Sequence, residues 1–357
     1  MKRQFFSKKT GKTIGVTAVI YVMAMAGILL IVNACRKNSS RVVPKTEVIS
    51  QLPSNVLTVA AIRSSKDGKT SEVFFNEREQ VYTIDNAANL ALLQNAFNKG
   101  EPVKISSSPH ETIVTQVNKP TEDELLSYHS FKANGFQSTR KIYSFKDAAA
   151  EAVSIDRTAD VEGLTSSGAS GLTTMIPDMA TANLIFNYLA SQCCAIPGTH
   201  EVTPCISFQY VEDGCYARAH KMCWVINNKY HYNTQKVFSF ANNGVNTLSV
   251  KADKWGGCCI NWWYHVAPLL TIKTASGPKA YVFDPAMFDG PVTLSTWLGG
   301  QANTSCTSGA AGPNMYSVQP TSAYSPANYA GTLFDTDPDY SSTNSTLIAY
   351  STLVSCP

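Results

Sequence analysis

The chain has 357 residues, 44% of them hydrophobic and only 15% charged, which is enough apolar material for two ordinary domains. Its formal net charge of +3 arises in residues 1–35, where Lys2, Arg3, Lys8, Lys9 and Lys12 stand without an acidic residue. Residues 36–171 carry 16 basic and 16 acidic side chains and residues 172–357 carry 8 and 10, so no basic stripe remains to bind nucleic acid.

The basic start runs into an apolar stretch over 15–32 and ends in Asn33-Ala34-Cys35, the pattern of an export signal. Cleavage before Cys35 would leave a lipid-anchored cysteine on a bacterial cell surface; an uncleaved stretch of 18 apolar residues could instead anchor the chain. Residues 36–70 read as a polar linker with a short strand near 56–62. A small α+β unit follows over 71–135. Its β-branched and aromatic content predicts strands at 72–75, 80–84, 103–106 and 112–117. Asn86 should cap a helix over 87–99 that stops at Gly100, and the acidic run after Pro120 should open a second helix over 121–131. His110 and His129 read as surface residues.

Residues 136–171 turn Ala-, Ser- and Gly-rich, ending in Ser166-Ser167-Gly168-Ala169-Ser170-Gly171, an exposed linker open to a processing protease. The second unit, 172–357, holds nine of the ten cysteines. Setting Cys215 aside as a thiol leaves Cys193, Cys194, Cys205, Cys223, Cys258, Cys259, Cys306 and Cys356, enough for four disulfides in an oxidising compartment. Leader, cysteine-free unit, cleavable linker and cysteine-rich unit together suggest an exported zymogen. In the second unit a helix is predicted over 179–191, strands at 236–241 and 247–250, and a hairpin whose arms run over 262–273 and 280–284 around the turn Thr274-Ala275-Ser276-Gly277-Pro278. The tail from Asn303 shows few helix signals, and Asp335-Thr336-Asp337-Pro338-Asp339 reads as a solvated turn.

The chemistry concentrates in Asp213-Gly214-Cys215-Tyr216-Ala217-Arg218-Ala219-His220-Lys221-Met222. With Asp213 as N-cap, Cys215 falls in the first turn of a helix, where unpaired N–H groups and the helix dipole favour a thiolate nucleophile. His265 and Asp284 lie on the two arms of the hairpin near the same end, so the carboxylate can orient the imidazole and the imidazole can deprotonate the thiol. A core histidine and a turn-capping aspartate are the structural alternative. His220 is a rival base rotated away from Cys215, and Cys223 a rival nucleophile better buried or bridged. No metal or cofactor is called for.

The Cys215 stretch, Cys258-Cys259 followed by Trp263-Tyr264-His265-Val266-Ala267, and Phe283-Asp284-Pro285 followed by Gly290-Pro291-Val292-Thr293 resemble bacterial protein-glutaminases. The resemblance covers the whole second unit and, more weakly, residues 72–131; Cys223 departs from the family pattern. It implies a transglutaminase-like, distantly papain-like core of the α+β class behind a small α+β pro-domain, with Cys215 as nucleophile, His265 as base and acid, and Asp284 as orienting carboxylate. It further implies hydrolysis of glutamine side chains in proteins and peptides through a thioester, processing near Gly171-Leu172, and a pro-domain that inhibits intramolecularly by placing the segment around Gln80 in the cleft. A transglutaminase or cysteine protease with the same triad, or a non-catalytic disulfide-rich lipoprotein, are the competing functions.

Overall fold

A computed structural model describes residues 55–65, 68–107, 112–145, 172–196, 198, 200–241, 246–307 and 310–356. The expected export signal, Cys35, His110 and most of the expected cleavable linker, Gly171 included, lie outside these residues. No described helix is long and apolar enough to cross a membrane.

The N-terminal unit follows its local signals closely. Strands β1 (Val56–Leu57), β2 (Val59–Ser64), β3 (Ser71–Phe75) and β4 (Tyr82–Ile84) precede helix α1 (Ala87–Lys99). The Asn86 side chain accepts from the Asn89 N–H, and Gly100 closes the helix in the left-handed region at φ 66°. Strands β5 (Val103–Ser106) and β6 (Gln116–Asn118) lead to α2 (Glu122–Lys132), which opens on a full capping box between Thr121 and Glu124. His129 is exposed on it, as expected. Strands β2, β3 and β4 form one antiparallel sheet and β1, β5 and β6 another. Val73, Phe75, Tyr82, Ile84, Leu93 and Ile105 are buried together between them and α1.

The C-terminal unit is built on one seven-stranded sheet. Its strands in chain order are β8 (Ile142–Ser144), β9 (Met175–Ile176), β10 (Gln235–Phe240), β13 (Tyr264–Thr274), β14 (Gly277–Val282), β15 (Val292–Thr293) and β16 (Met315–Pro320). Their lateral order is β15-β14-β13-β10-β16-β8, with β9 parallel to β13. Strands β11 (Leu248–Lys251) and β12 (Cys259–Trp262) form a separate ribbon. Helices α3 (Met179–Ser191) and α4 (Cys215–Val225) share the large core with the sheet. Strand β7 (Phe136–Gln137) pairs with β18 (Leu333–Thr336), which pairs with β17 (Ala323–Pro326). Two segments read from sequence as linker, β7 and β8, are thus edge strands on the sheets of the C-terminal unit. Hydrogen bonding to those edges overrides their weak local pattern.

Two further expectations change. Three disulfides close among the described residues, Cys194–Cys205, Cys258–Cys356 and Cys259–Cys306, while Cys223 remains a buried thiol like Cys215. The eight cysteines therefore do not pair off among themselves as expected: Cys223 stays a thiol, and Cys193 is disulfide-bonded outside these three pairs. Of the aspartates near 335 only Asp339 is exposed. Asp335 is buried against Lys132 of α2 at 2.6 Å, and Asp337 accepts from the Ser342 and Thr343 N–H groups at 3.1 and 2.7 Å. Asp337 thereby caps a helix, α6 (Ser341–Tyr350), which follows the short α5 (Leu294–Gly299).

Candidate active site

Helix α4 is the centre of the C-terminal unit, and every residue from Cys215 to Cys223 is buried. It is therefore a core helix rather than an amphipathic one. Asp213 is not its N-cap. Gly214 occupies that position at φ 89°, where a Cβ would lie 2.9 Å from the Tyr350 ring, so only glycine fits. The Asp213 carboxylate instead accepts from Tyr350 Oη at 2.6 Å and from the Glu79 N–H at 3.1 Å, and it faces Arg78 Nε at 3.4 Å. The first-turn N–H of Cys215, which has no acceptor within the helix, is directed into the site.

The hairpin of β13 and β14 supplies the other two residues. Its turn is tighter than the longer loop expected, with Thr274 opposite Gly277. Continuing the register of Leu269 opposite Val282 puts Asp284 two residues from the partner of His265, on the same face. His265 Nε2 and Asp284 Oδ2 are 2.9 Å apart, so the carboxylate fixes the imidazole through Nε2 and leaves Nδ1 for chemistry. Trp297 Nε1 donates to the same Oδ2 at 2.9 Å. The indoles of Trp262 and Trp297 stack on the imidazole with centroids 4.4 and 5.5 Å away. Packing thus fixes the ring plane, and the Asp284 carboxylate holds the Nε2 end of the ring.

The sulfur of Cys215, a ring nitrogen of His265 and a carboxylate oxygen of Glu79 lie within 4.8 Å of one another. The segment around Gln80 was expected in the cleft, but Glu79 was not singled out as the side chain that enters it. Gln80 is buried next to the site in a bridge with Trp262, and its side chain is not the one that enters. Glu79 lies at a bend between the turn at Asn76-Glu77 and the Gln80 bridge, and there its side chain rather than that of Gln80 enters the site. Glu79 Oε1 accepts from the Cys215 N–H at 3.1 Å and from Arg218 Nη2 at 3.3 Å, while Oε2 lies 3.2 Å from His265 Nδ1. The segment is held by backbone contacts on both sides of Glu79. Trp263 N–H donates to the Glu79 carbonyl at 3.0 Å and its indole N–H to the Arg78 carbonyl at 2.6 Å, and the Val81 N–H reaches the Asn261 carbonyl at 3.4 Å.

The electrostatics match an occupied, resting site. Burial, reinforced by the negative charge of Glu79, pushes the Cys215 thiol well above its ordinary range, so it stays protonated. Burial also raises Glu79, partly offset by His265 and Arg218. For His265, burial works downward, but hydrogen bonds to Asp284 and Glu79 outweigh it and the net shift is upward. Asp284 is opposed by burial yet held below its ordinary value by His265 and Trp297. Cys215, Glu79 and His265 are also a possible metal-ligand set. The donor chemistry fits an anion better, because both oxygens of Glu79 face N–H groups and the Arg218 guanidinium would repel a cation.

His220, the rival base, is absent from this cluster. Its Nδ1 lies 2.6 Å from Lys236 Nζ and its Nε2 3.1 Å from the Asp337 carbonyl. Burial and then the Lys236 charge depress its pKa to about 2. The unfolded chain therefore binds a proton below pH 6.5 that the folded chain refuses, and stability present above that pH is lost as pH falls. Between pH 7 and pH 5 this group should remove about 2 kcal/mol of unfolding free energy. Denaturant titrations of His220→Asn should show that part of the acid slope missing. An unchanged slope would mean the imidazole is already protonated.

A family profile described as Glutaminase matches residues 182–301, which include Cys215, His265 and Asp284. No curated protein sequence matches the chain. A crystal structure of pro-protein-glutaminase is similar at 27% identity and a TM-score of 0.62, over 86% of this chain and 95% of that one. A mutant of pro-protein-glutaminase gives 27% and 0.62 over 85% and 95%. The solution structure of protein-glutaminase from Chryseobacterium proteolyticum is 36% identical over 52% of this chain and 93% of that one, with a TM-score of 0.45. Because 86% of the chain exceeds the C-terminal unit, the likeness to the pro-form takes in the N-terminal unit as well. With the site geometry and these matches in agreement, the chain is a member of the protein-glutaminase family.

Proposed function

We propose that the chain is the exported precursor of a protein-glutamine deamidase, with residues up to about 145 as pro-domain and the following linker as the cleavage region. The C-terminal unit is then a transglutaminase-like, distantly papain-like cysteine hydrolase. One observation carries the reading: a glutamate carboxylate, the product of glutamine deamidation, is seated between Cys215 and His265. A substrate chain would take the same path, its backbone bonded to Trp263 and its glutamine reaching the position of Glu79.

After removal of the pro-segment, water reaches Cys215 and the Glu79 charge leaves it. Both changes lower the thiol pKa and favour transfer of its proton to His265 Nδ1. The thiolate attacks the side-chain carboxamide carbon, and the carbonyl oxygen becomes an oxyanion facing the Cys215 N–H. His265 returns the proton to the amide nitrogen, ammonia departs and a thioester remains. Water, deprotonated by His265, then hydrolyses the thioester to glutamate and free thiol. Asp284 stabilises the imidazolium in both halves.

The reading separates from a protease or a transglutaminase by product mass. A glutamine peptide blocked at both ends, treated with the cleaved chain and a primary amine, should gain only the mass of OH replacing NH2. Backbone fragments would assign a protease. An amine adduct in place of the acid would assign a transglutaminase.

A further inference from the structure

We infer that Arg218 is a catalytic residue, the second donor of the oxyanion hole, with Nη2 converging with the Cys215 N–H on the oxygen formed when the thiolate attacks. The inference rests on the deamidase reading above and adds a role to it. Arg218 follows Cys215 by three residues, so both side chains start from one face of α4. Its guanidinium is 2% exposed and fixed at one end: Nη1 donates to the carbonyls of Tyr210 and Asp213 at 2.6 and 2.7 Å. That leaves Nη2 facing the reaction centre, where it meets Glu79 Oε1 at 3.3 Å. The same oxygen accepts from the Cys215 N–H at 3.1 Å. Two donors from one helix turn therefore meet at one anionic oxygen, while the other oxygen of that carboxylate faces the base.

Replacing Glu79 by a substrate carboxamide gives each group its part. Attack by Cys215 moves the carbonyl π pair onto the oxygen between the two donors, and the nitrogen lies towards His265, which protonates it. The oxyanion is neutralised by a cation that is held before the reaction and needs no rearrangement during it, in a site shielded from water. When the C–N bond breaks, that electron pair reforms the carbonyl, and Arg218 again donates to a neutral oxygen. Nothing is oxidised or reduced, and the proton balance closes on His265.

The test uses the full chain after limited proteolysis, as wild type, Arg218→Lys and Arg218→Gln. Removing one oxyanion donor should lower kcat on a blocked glutamine peptide on the order of 100- to 1000-fold, with KM changed less than about threefold. Hydrolysis of a p-nitrophenyl ester by Cys215 should fall in parallel, because it passes through the same kind of oxyanion. Alkylation of Cys215 by iodoacetamide at a pH above the thiol's titration displaces iodide at saturated carbon and forms no oxyanion, so it should hold within about threefold. Hydrolysis and alkylation falling together would reduce Arg218 to a support for the helix, and unchanged hydrolysis would remove it from the reaction. Should both variants fail to fold, the wild type labelled with 15N-arginine carries the test. A protected Nη2 proton signal should be present before cleavage, lost after it, and restored by a peptide aldehyde that forms a hemithioacetal with Cys215; no restoration would overturn the assignment. Wild type that cleaves the ester yet releases no ammonia from the peptide would defeat the deamidase reading alone, leaving the Arg218 comparison on the ester.

Discussion

Glu79→Gln in the uncleaved chain is expected to turn residue 79 into a substrate of its own active site. The carboxamide has the length and shape of the carboxylate it replaces, and the segment is positioned by backbone bonds to Trp263 and Asn261 that the substitution leaves intact. Its oxygen would sit where Oε1 meets the Cys215 N–H, and its nitrogen where Oε2 meets His265 Nδ1. Loss of the Glu79 charge also removes one of the causes that keep the thiol protonated. Such placement converts a bimolecular attack into an intramolecular one, a gain on the order of 7 kcal/mol or more when the geometry is right. Peptide mapping by mass should find residue 79 as glutamate, or, if water is slow to enter, as a thioester to Cys215 lacking the mass of ammonia. In a Glu79→Gln, Cys215→Ala double variant the introduced glutamine should persist. Its persistence with Cys215 present would mean that the segment holds its side chain out of attack geometry.

Asp284→Asn should be the most damaging conservative change at the site. The Asp284 carboxylate accepts from both His265 and Trp297, and its negative charge helps hold the imidazole pKa up. An amide can keep one or both hydrogen bonds but not the charge. It also allows a rotamer that offers Nδ2 to His265 and reverses the tautomer. The processed enzyme should lose on the order of 1000- to 10,000-fold in kcat. Its acid limb should move to lower pH, because removing the carboxylate lowers the His265 pKa. A loss below about tenfold with an unmoved pH profile would show that Trp262 and Trp297 alone are enough to orient the ring.

What sequence conveyed here was local. Asn86 caps one helix through a single side-chain bond and Thr121 opens another through a capping box with Glu124, and both signals are visible as residue types at fixed positions. His265 and Asp284 could be placed together because strand register obeys a period of two. Which side chain of the segment around Gln80 enters the site was not legible: the turn at Asn76-Glu77 and the bend at Glu79 decide it, and nothing nearby in sequence marks them. Asp213 looks like a cap, but its acceptors serve Tyr350 and Glu79, partners 137 and 134 residues away. Helix α6 was not legible because its Ser-, Thr- and Asn-rich sequence has weak helix propensity. Asp337 outside the helix and burial of Leu347 and Tyr350 within it hold it in place. Arg218 was not singled out from sequence, although a cation three residues after a first-turn nucleophile shares its face.

The proposed block of the active site is tested most directly by ammonia release from a blocked glutamine peptide, measured on the full chain before and after limited proteolysis beside Cys215→Ala. With Glu79 seated on Cys215 and His265, the uncleaved chain should release little ammonia and the cleaved wild type much more, while the cleaved Cys215→Ala chain releases none. Equal release before and after cleavage, or release that survives Cys215→Ala, would contradict both the site and its block.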